Sequence, residues 1–312
     1  MHACEQHALT YDPRIKNADG TTFYGNVHYG AYGNSHGFLA GFPSSRYTLS
    51  CAVIGQNEDG SSMQRDADHT TARDLQDLHA ADKVGIEAAK RTIARLGARK
   101  IKTTKAPVLL VPEMARGLIS SFVSAISGGN LYRKTSFLLD ALQQQVFPQF
   151  MHIYEDPHIL KALGSTAFDN DGVATKRRDL IQAGVLQGYV LGSYSARKLG
   201  MQTTGNAGGV HNLIVQPGKC DFNALVTKMD RGLIVTEMLG HGINMTTGDY
   251  SRGICGFWVQ DGQIQHPVEE VTIAGNLKDI FANIVDVGND VDYRGNIRVG
   301  SLLLDTMMIA GE

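Results

Sequence analysis

The chain has 312 residues, 43% hydrophobic and 19% charged, enough for one large or two medium domains with their own cores. A formal net charge of −2 with no basic block removes nucleic acid and anionic membranes as obvious partners. No apolar run approaches the ~20 residues that span a bilayer, and residues 1–14 lack a charged-then-apolar secretory pattern. Cys4, Cys51, Cys220 and Cys255 are scattered without a CxxC, which argues against a zinc knuckle and makes a reducing cytoplasm the expected compartment. The 35 glycines, about 11% against a usual ~7%, fall between apolar runs and imply many short strands.

Taken in order, residues 5–15 read as a short helix fraying at Pro13. Residues 21–66 alternate strand and turn signals, with a β-rich run at 47–54 and a hairpin signal at Asp59-Gly60. The reading is an antiparallel meander. Tyr24, Val27, Tyr29, Tyr32, Phe38 and Phe42 are assigned to sheet packing, because too few basic residues accompany them for a base-stacking surface. Helices are expected at 71–78 and 82–96, the second capped by Asp82, apolar along Ile86, Ala89, Ile93 and Leu96, and stopped by Gly97. The polar KIKTTKA stretch at 100–106 is the candidate boundary between a central α+β domain (1–104) and a C-terminal α+β domain (105–312).

A short buried strand at 107–111 runs into a helix at 112–126, with Pro112 in its first turn, a stripe of Met114, Leu118, Phe122 and Ile126, and Gly128-Gly129 as the stop. A helix at 137–146, a strand at 152–155, a loop at 163–173 and a hairpin around Ala183-Gly184 follow. After a helical stretch at 194–199, a GNAGG loop at 205–209 precedes a strand at 210–215. Asp221 then caps a helix with Phe222, Leu225, Val226 and Met229 on one side. Residues 233–239 form a buried strand, and Asp261-Gly262 joins strands at 253–259 and 264–273 through a turn that needs positive φ at both positions. Asn276 caps a last helix, and 297–309 supplies final strands. The fold class is α+β, mainly antiparallel sheets with helices packed on them.

The chemistry-bearing residues are few. Eleven histidines include no HExxH and no i, i+4 pair on a helix. There is no GxSxG elbow; Ser251 and His241 form a serine–histidine pair only on paper, and Asp249 and Arg252 read more naturally as a local ion pair or a partner contact. Glu269-Glu270 point to opposite faces of a strand, and Asp290 and Asp292 read as turn and solvent residues. The glycine-rich pieces end in no GK[ST], which rules out a P-loop. The remaining candidates for binding a substrate or partner are Thr236, Glu237, His241, Asn244, Asp249, Tyr250 and Arg252, with His211 and Asn212 after GNAGG; strand addition by an extended peptide would use such a sheet.

TEMLGHG, TGDYSRG, GFWVQDGQIQHPVEEVTIAGNLKDI and VGND resemble the C-terminal signature of the TldD/PmbA family, and of its PmbA (TldE) branch in particular. GNSHGFLAGFPSSRYTLS, AISGGNLYRKTSFLLD, SYSARKLG and GGVHN extend the resemblance over nearly the whole chain. The family's catalytic branch carries H-E-x-x-x-H on the helix after the short buried strand, its glutamate activating a zinc-bound water, with a C-terminal cysteine as a further ligand. Here the first place reads Pro112-Glu113-Met114-Ala115-Arg116-Gly117, and the second Arg298-Val299-Gly300. The resemblance therefore implies no metal bound by this chain and a vestigial Glu113, favoured in a first turn by the helix dipole. It implies a TldD-like zinc-bearing partner subunit, together forming a cytoplasmic peptidase for unfolded or short peptides, including peptide-antibiotic precursors and an antitoxin. The alternative is a non-catalytic peptide-binding or scaffold protein independent of proteolysis; among partners, a second copy in a homodimer is the other candidate. Family members carry a further N-terminal domain that the resemblance leaves largely missing here, as expected of a fragment or an internal start.

Overall fold

A computed structural model describes residues 1–312, which fall into two units, Met1–Arg99 with Lys161–Leu163, and Lys100–Leu160 with Gly164–Glu312. In the first unit, α1 (His2–Leu9), β1 (Ile15–Gly33), β2 (Leu39–Gln56), β3 (Met63–Ala72) and α2 (Ala81–Ala94) follow one another. The strands form the expected meander, β1-β2-β3, antiparallel throughout. Ile15, Leu49, Cys51 and Val53 at one end of it are buried with Cys4 and Ala8 of α1 and Val84, Ala88 and Ala89 of α2.

Three expectations in this unit need correction. Residues 71–78 are not a helix: Thr71 still belongs to β3, where its hydroxyl meets that of Thr48 at 2.8 Å, and Asp74 caps only a 3₁₀ turn at Leu75–Asp77. β-branched threonines with a cross-strand partner favour the sheet. α2 begins one residue before Asp82, so the carboxylate lies in the first turn and Ala80 takes the cap position. The aromatics of the meander are largely uncovered. Beyond Tyr47, opposite which β3 ends, β1 and β2 continue as a two-stranded ribbon to Gly33↔Leu39. On it Tyr29 is 81% exposed, and Tyr24, Val27 and Phe42 are exposed as well. With no third strand or helix alongside, their cover comes only from neighbours on the ribbon itself, such as His28, whose ring centre lies 6.3 Å from that of Phe42.

The second unit contains β4 (Thr104–Leu110), α3 (Pro112–Ala125), α4 (Gly128–Tyr132), β5 (Ile153–Glu155), β6 (Arg178–Gln182), β7 (Val185–Leu186), α5 (Ser193–Lys198) and β8 (Leu213–Val215). It continues with α6 (Phe222–Met229), β9 (Gly232–Leu239), β10 (Asp249–Gln260), β11 (Gln263–Asn276), α7 (Leu277–Ala282), β12 (Ile284–Val287), β13 (Ile297–Arg298) and β14 (Leu302–Ala310). One sheet has the order β11-β10-β9-β4-β14-β12, and a further pairing of β11 with β14 closes five of its strands into a barrel. The other has the order β13-β8-β5-β6-β7. Only β4–β9 and β13–β8 are parallel. The architecture is thus α+β with mainly antiparallel sheets.

Alternation along the central strands explains the layering. Val108, Leu110, Leu233 and Val235 belong to one core with Leu118, Ile119 and Phe122 of α3. Leu109, Ile234 and Leu303, one residue out of step, belong to another with Leu225, Val226 and Met229 of α6. Asp261 and Gly262 take φ of 55° and 65°, the left-handed pair that a two-residue hairpin turn demands. Glu269 and Glu270 are looped out where the register passes from Ile254↔Val271 to Gly256↔Val268, a β-bulge that leaves Glu270 at φ 55°. Asp221 and Asn276 cap α6 and α7 by accepting from the Ala224 and Lys278 amides.

Residues 137–146 are irregular rather than helical. Their amides reach outward instead, Phe137 to the Met245 carbonyl, Gln143 to Leu186 and Val146 to Gly184. Those bonds replace the local ladder that helical propensity would favour. Gly128 likewise does not merely end α3; it opens α4.

Candidate functional site

The start of α3 is where β4 delivers the chain onto the helix. Pro112 takes the first helical position and Glu113 the first turn, where the positive end of the dipole favours an acid. Arg294 donates from Nη2 to Glu113 at 2.7 Å. Its Nε and backbone amide both reach Asp292 Oδ1 at 2.9 Å, and Arg116 of α3 bonds the other oxygen of Asp292. Two carboxylates and two guanidinium groups therefore join α3 to the turn before β13.

Asp292 is only 8% exposed. Burial alone would raise its pKa, but hydrogen bonds from Arg294 and the charges of Arg294 and Arg116 hold it below the usual carboxylate range. Burial would lower Arg294, and Asp292 and Glu113 reverse that and raise it. The expectation of a solvent role for Asp292 is thus corrected; Asp290 accepts from the amide and hydroxyl of Ser301, which ties its segment to the residue before β14.

These residues do not fit a zinc ion. Pro112 and Gly117 have no donor, Val299 is fully buried, and no group of three or more His, Cys, Asp or Glu is arranged to hold a metal. Glu113 faces a fixed cation, which opposes a second cation at the same place.

The other candidates lie apart from this cluster in the sequence and differ among themselves. Thr236 and Glu237 are half-buried on β9, with the Thr236 hydroxyl 3.4 Å from the Cys255 carbonyl. His241 and Asn244 are exposed in the loop after β9. Asn244 Oδ1 accepts from the amides of Thr246 and Thr247. Asp249 accepts from the Thr247 hydroxyl at 2.6 Å and from Asn276 at 3.3 Å. No ion pair joins Asp249 to Arg252, because residues three apart on a strand point to opposite faces. Arg252 keeps a buried Nε without a hydrogen-bond partner. Tyr250 is buried, its hydroxyl on the Met238 sulfur at 3.2 Å, and burial pushes its pKa up to about 12. The loop borders a cleft of about 660 Å³ lined by Leu139, Gln144, Gln145, Thr246 and Lys278.

His211 and Asn212 hold the fold together internally. Asn212 is fully buried; its side chain accepts from the Gly164 amide and donates to the Asp156 carbonyl and Ser165. The amide of His211 donates to Glu155, and its Nε2 lies 3.0 Å from the Gly205 carbonyl. Glu155 also receives Arg178 at 2.6 Å and Asn206 at 3.0 Å. The GNAGG loop is thus wrapped around a buried carboxylate.

Sequence reasoning missed Arg294 and Asp292 as a pair. The readable signal is the D-x-R spacing after VGND, which lets a guanidinium fold back onto the carboxylate two residues earlier.

Comparison with known proteins gives the family. Residues 1–96 match the PmbA/TldA metallopeptidase central domain and residues 103–311 the PmbA/TldA metallopeptidase C-terminal domain. Metalloprotease PmbA of Escherichia coli O157:H7 is 50% identical over 310 residues, 99% of this chain and 68% of that protein. The metalloprotease PmbA homolog of Haemophilus influenzae is 48% identical over 309 residues, with the same coverage of 99% and 68%. The crystal structure of TldE from Thermococcus kodakarensis superposes with a TM-score of 0.86 at 22% identity, over 99% of this chain and 72% of that one, a likeness of fold. The chain belongs to the PmbA/TldD metallopeptidase family, in its PmbA branch.

Proposed function

We propose that this chain is the metal-free subunit of a two-subunit metallopeptidase that acts on unfolded or short peptides. The carrying observation is the ion-pair cluster at the start of α3: Glu113 is bound to Arg294 where a catalytic glutamate would need a metal-bound water. Relatives named metalloproteases support a part in peptide hydrolysis, and the local residues support assigning the zinc to a TldD-like partner. This chain would then contribute assembly and binding of extended peptides, through Thr236, Glu237, His241, Asn244, Asp249 and Arg252 on and beside β9 and β10. A cytoplasmic location fits four free cysteines. No helix is long and apolar enough to cross a membrane.

The test mixes the purified chain with a zinc-bearing relative and follows cleavage of an unfolded peptide, with zinc measured in each protein alone. Cleavage that rises on mixing, with zinc in the relative only, supports the proposal. Stoichiometric zinc in this chain alone, or cleavage by it alone, would overturn it. Peptide binding with no effect on cleavage would favour the scaffold reading.

A further inference from the structure

Of the half-buried guanidinium groups around the β13-β8-β5-β6-β7 sheet, all but one are matched by carboxylates. Arg178 is held by Glu155, and Arg116 and Arg294 by Asp292 and Glu113. Arg298, at the end of the edge strand β13, makes no ion pair and its Nε is buried without a hydrogen-bond partner. Its Cζ lies 5.3 Å from the centre of the Tyr293 ring, whose residue is 62% exposed. Desolvation is the main influence on Arg298 and lowers its pKa; Tyr293, then Asp156, beyond ion-pair distance, and Tyr154 compensate only in part. A desolvated charge lacking a counter-ion is unfavourable, and an incoming anion relieves it.

The strand register surrounds this group with a defined surface. Arg298 pairs with Ile214, Ile214 with Tyr154, and Tyr154 with Asp179, so the four share one face across four strands. The intervening Ile297, Leu213, Val215 and Ile153 are buried on the other face, which turns the row toward solvent. Arg177 stacks on Tyr154 at 4.8 Å and brings a second cation to the row. Asp179, at the far end, is paired with His152 at 2.8 Å.

We infer that this face binds the terminal carboxylate of a peptide, with Arg298 as the anchor, Arg177 as the second cation, and Tyr154 and Tyr293 against the last side chain. The inference rests on the peptide-processing reading above. A monoanion suits the site, because Asp156 and Asp179 nearby disfavour a phosphate or a polyanion. In a family of peptide substrates differing in sequence, the chain end is the one anion that all of them carry. An arginine with an apolar and aromatic floor recognises it without reading the sequence.

The test uses the full chain and an N-terminally labelled hexapeptide ending in phenylalanine, as free acid and as C-terminal amide, with binding read by fluorescence polarisation. The acid should bind about tenfold or more tighter than the amide, as a charge-assisted hydrogen bond predicts. Arg298→Gln should abolish the difference and Arg177→Gln reduce it, at unchanged amide affinity. Arg298→Lys, which keeps the charge but loses the planar fork, should retain part of the discrimination and serves if the glutamine variant fails to fold. Equal binding of acid and amide, or a ratio that survives both Arg298 variants, overturns the anchor while leaving the peptide reading intact. If neither peptide binds, the peptide reading fails, and 3-phenylpropionate alone decides the site by saturation-transfer NMR: a signal lost in the Arg298 variant upholds it, and no signal overturns it.

Discussion

Arg294 Nη2 sits 2.7 Å from a carboxylate oxygen of Glu113, across 181 residues of chain. That contact turns a first-turn glutamate into part of a clamp between α3 and the turn before β13. Glu113→Gln keeps an acceptor for Arg294 and should lower stability by less than ~1 kcal/mol, with little change in the cleavage supported by the assembled complex. Arg294→Ala leaves Asp292 buried with Arg116 alone and should cost about 3 kcal/mol. Thermal melts of both variants, with peptide cleavage in the presence of the zinc-bearing relative, decide the matter. Loss of all cleavage in Glu113→Gln at an unchanged melting temperature would make Glu113 catalytic after all.

The same cluster sets an acid limit. Asp292 titrates below its unfolded value of ~3.9, so its contribution to stability is complete above that value. It is lost as pH falls through the folded pKa, because the unfolded chain takes up the proton first. Unfolding titrations from about pH 5 down to about pH 2 should show a shallower decline for Asp292→Asn than for the parent, with the variant less stable near neutrality. Parallel curves would remove Asp292 from the acid response.

Much of this was legible from local signals, and the failures share a cause. Asp261-Gly262, Asp221 and Asn276 act within four residues of themselves, and each performs the local role that its type predicts. Residues 137–146 and Thr71 depart from their local signals because their partners lie far off: Leu186, Gly184 and Met245 for the first, Thr48 for the second. The site divides the same way. Missing donors at Pro112 and Gly117 can be read residue by residue, whereas Glu113–Arg294 and Glu155–Arg178 exist only once distant segments meet. The exposed ribbon is a related case. Aromatics among glycines signal a sheet, but the point at which β3 stops covering it carries no local mark.

Tyr250 sets an alkaline limit. Burial raises it to about 12, above an ordinary value near ~10, so the folded chain holds the proton longer than the unfolded one. Its contribution is fully present below the unfolded pKa and is lost as pH rises toward the folded one. Burial raises Tyr189 as well, so ultraviolet titration of the eleven tyrosines should show a late step to which both contribute, and Tyr250→Phe should remove one equivalent from its most alkaline part. The variant should lose less than ~1 kcal/mol at neutral pH, since the hydroxyl's partner is the weak acceptor sulfur of Met238. A late step of unchanged size and position in Tyr250→Phe would assign the shift elsewhere.

Gly85 governs the helix pair of the first unit. A Cβ there would come within 2.1 Å of the Cys4 carbonyl oxygen and 3.2 Å of the Ala8 amide nitrogen, both backbone atoms of α1 that cannot swing aside. In an isolated helix alanine would be preferred to glycine by ~1 kcal/mol, so propensity alone predicts a stabilising change. The clash must dominate, because relieving it pushes α1 off α2 and opens the core of Cys4, Ala8, Cys51, Val84 and Ala88. Gly85→Ala should therefore destabilise the first unit by about 2 kcal/mol or more. It should also expose Cys4 and Cys51, both fully buried in the parent, to a thiol reagent. Counting reactive thiols in native buffer reads this directly. An alanine variant with unchanged thiol reactivity and a raised melting temperature would show that the helices do not depend on this close approach.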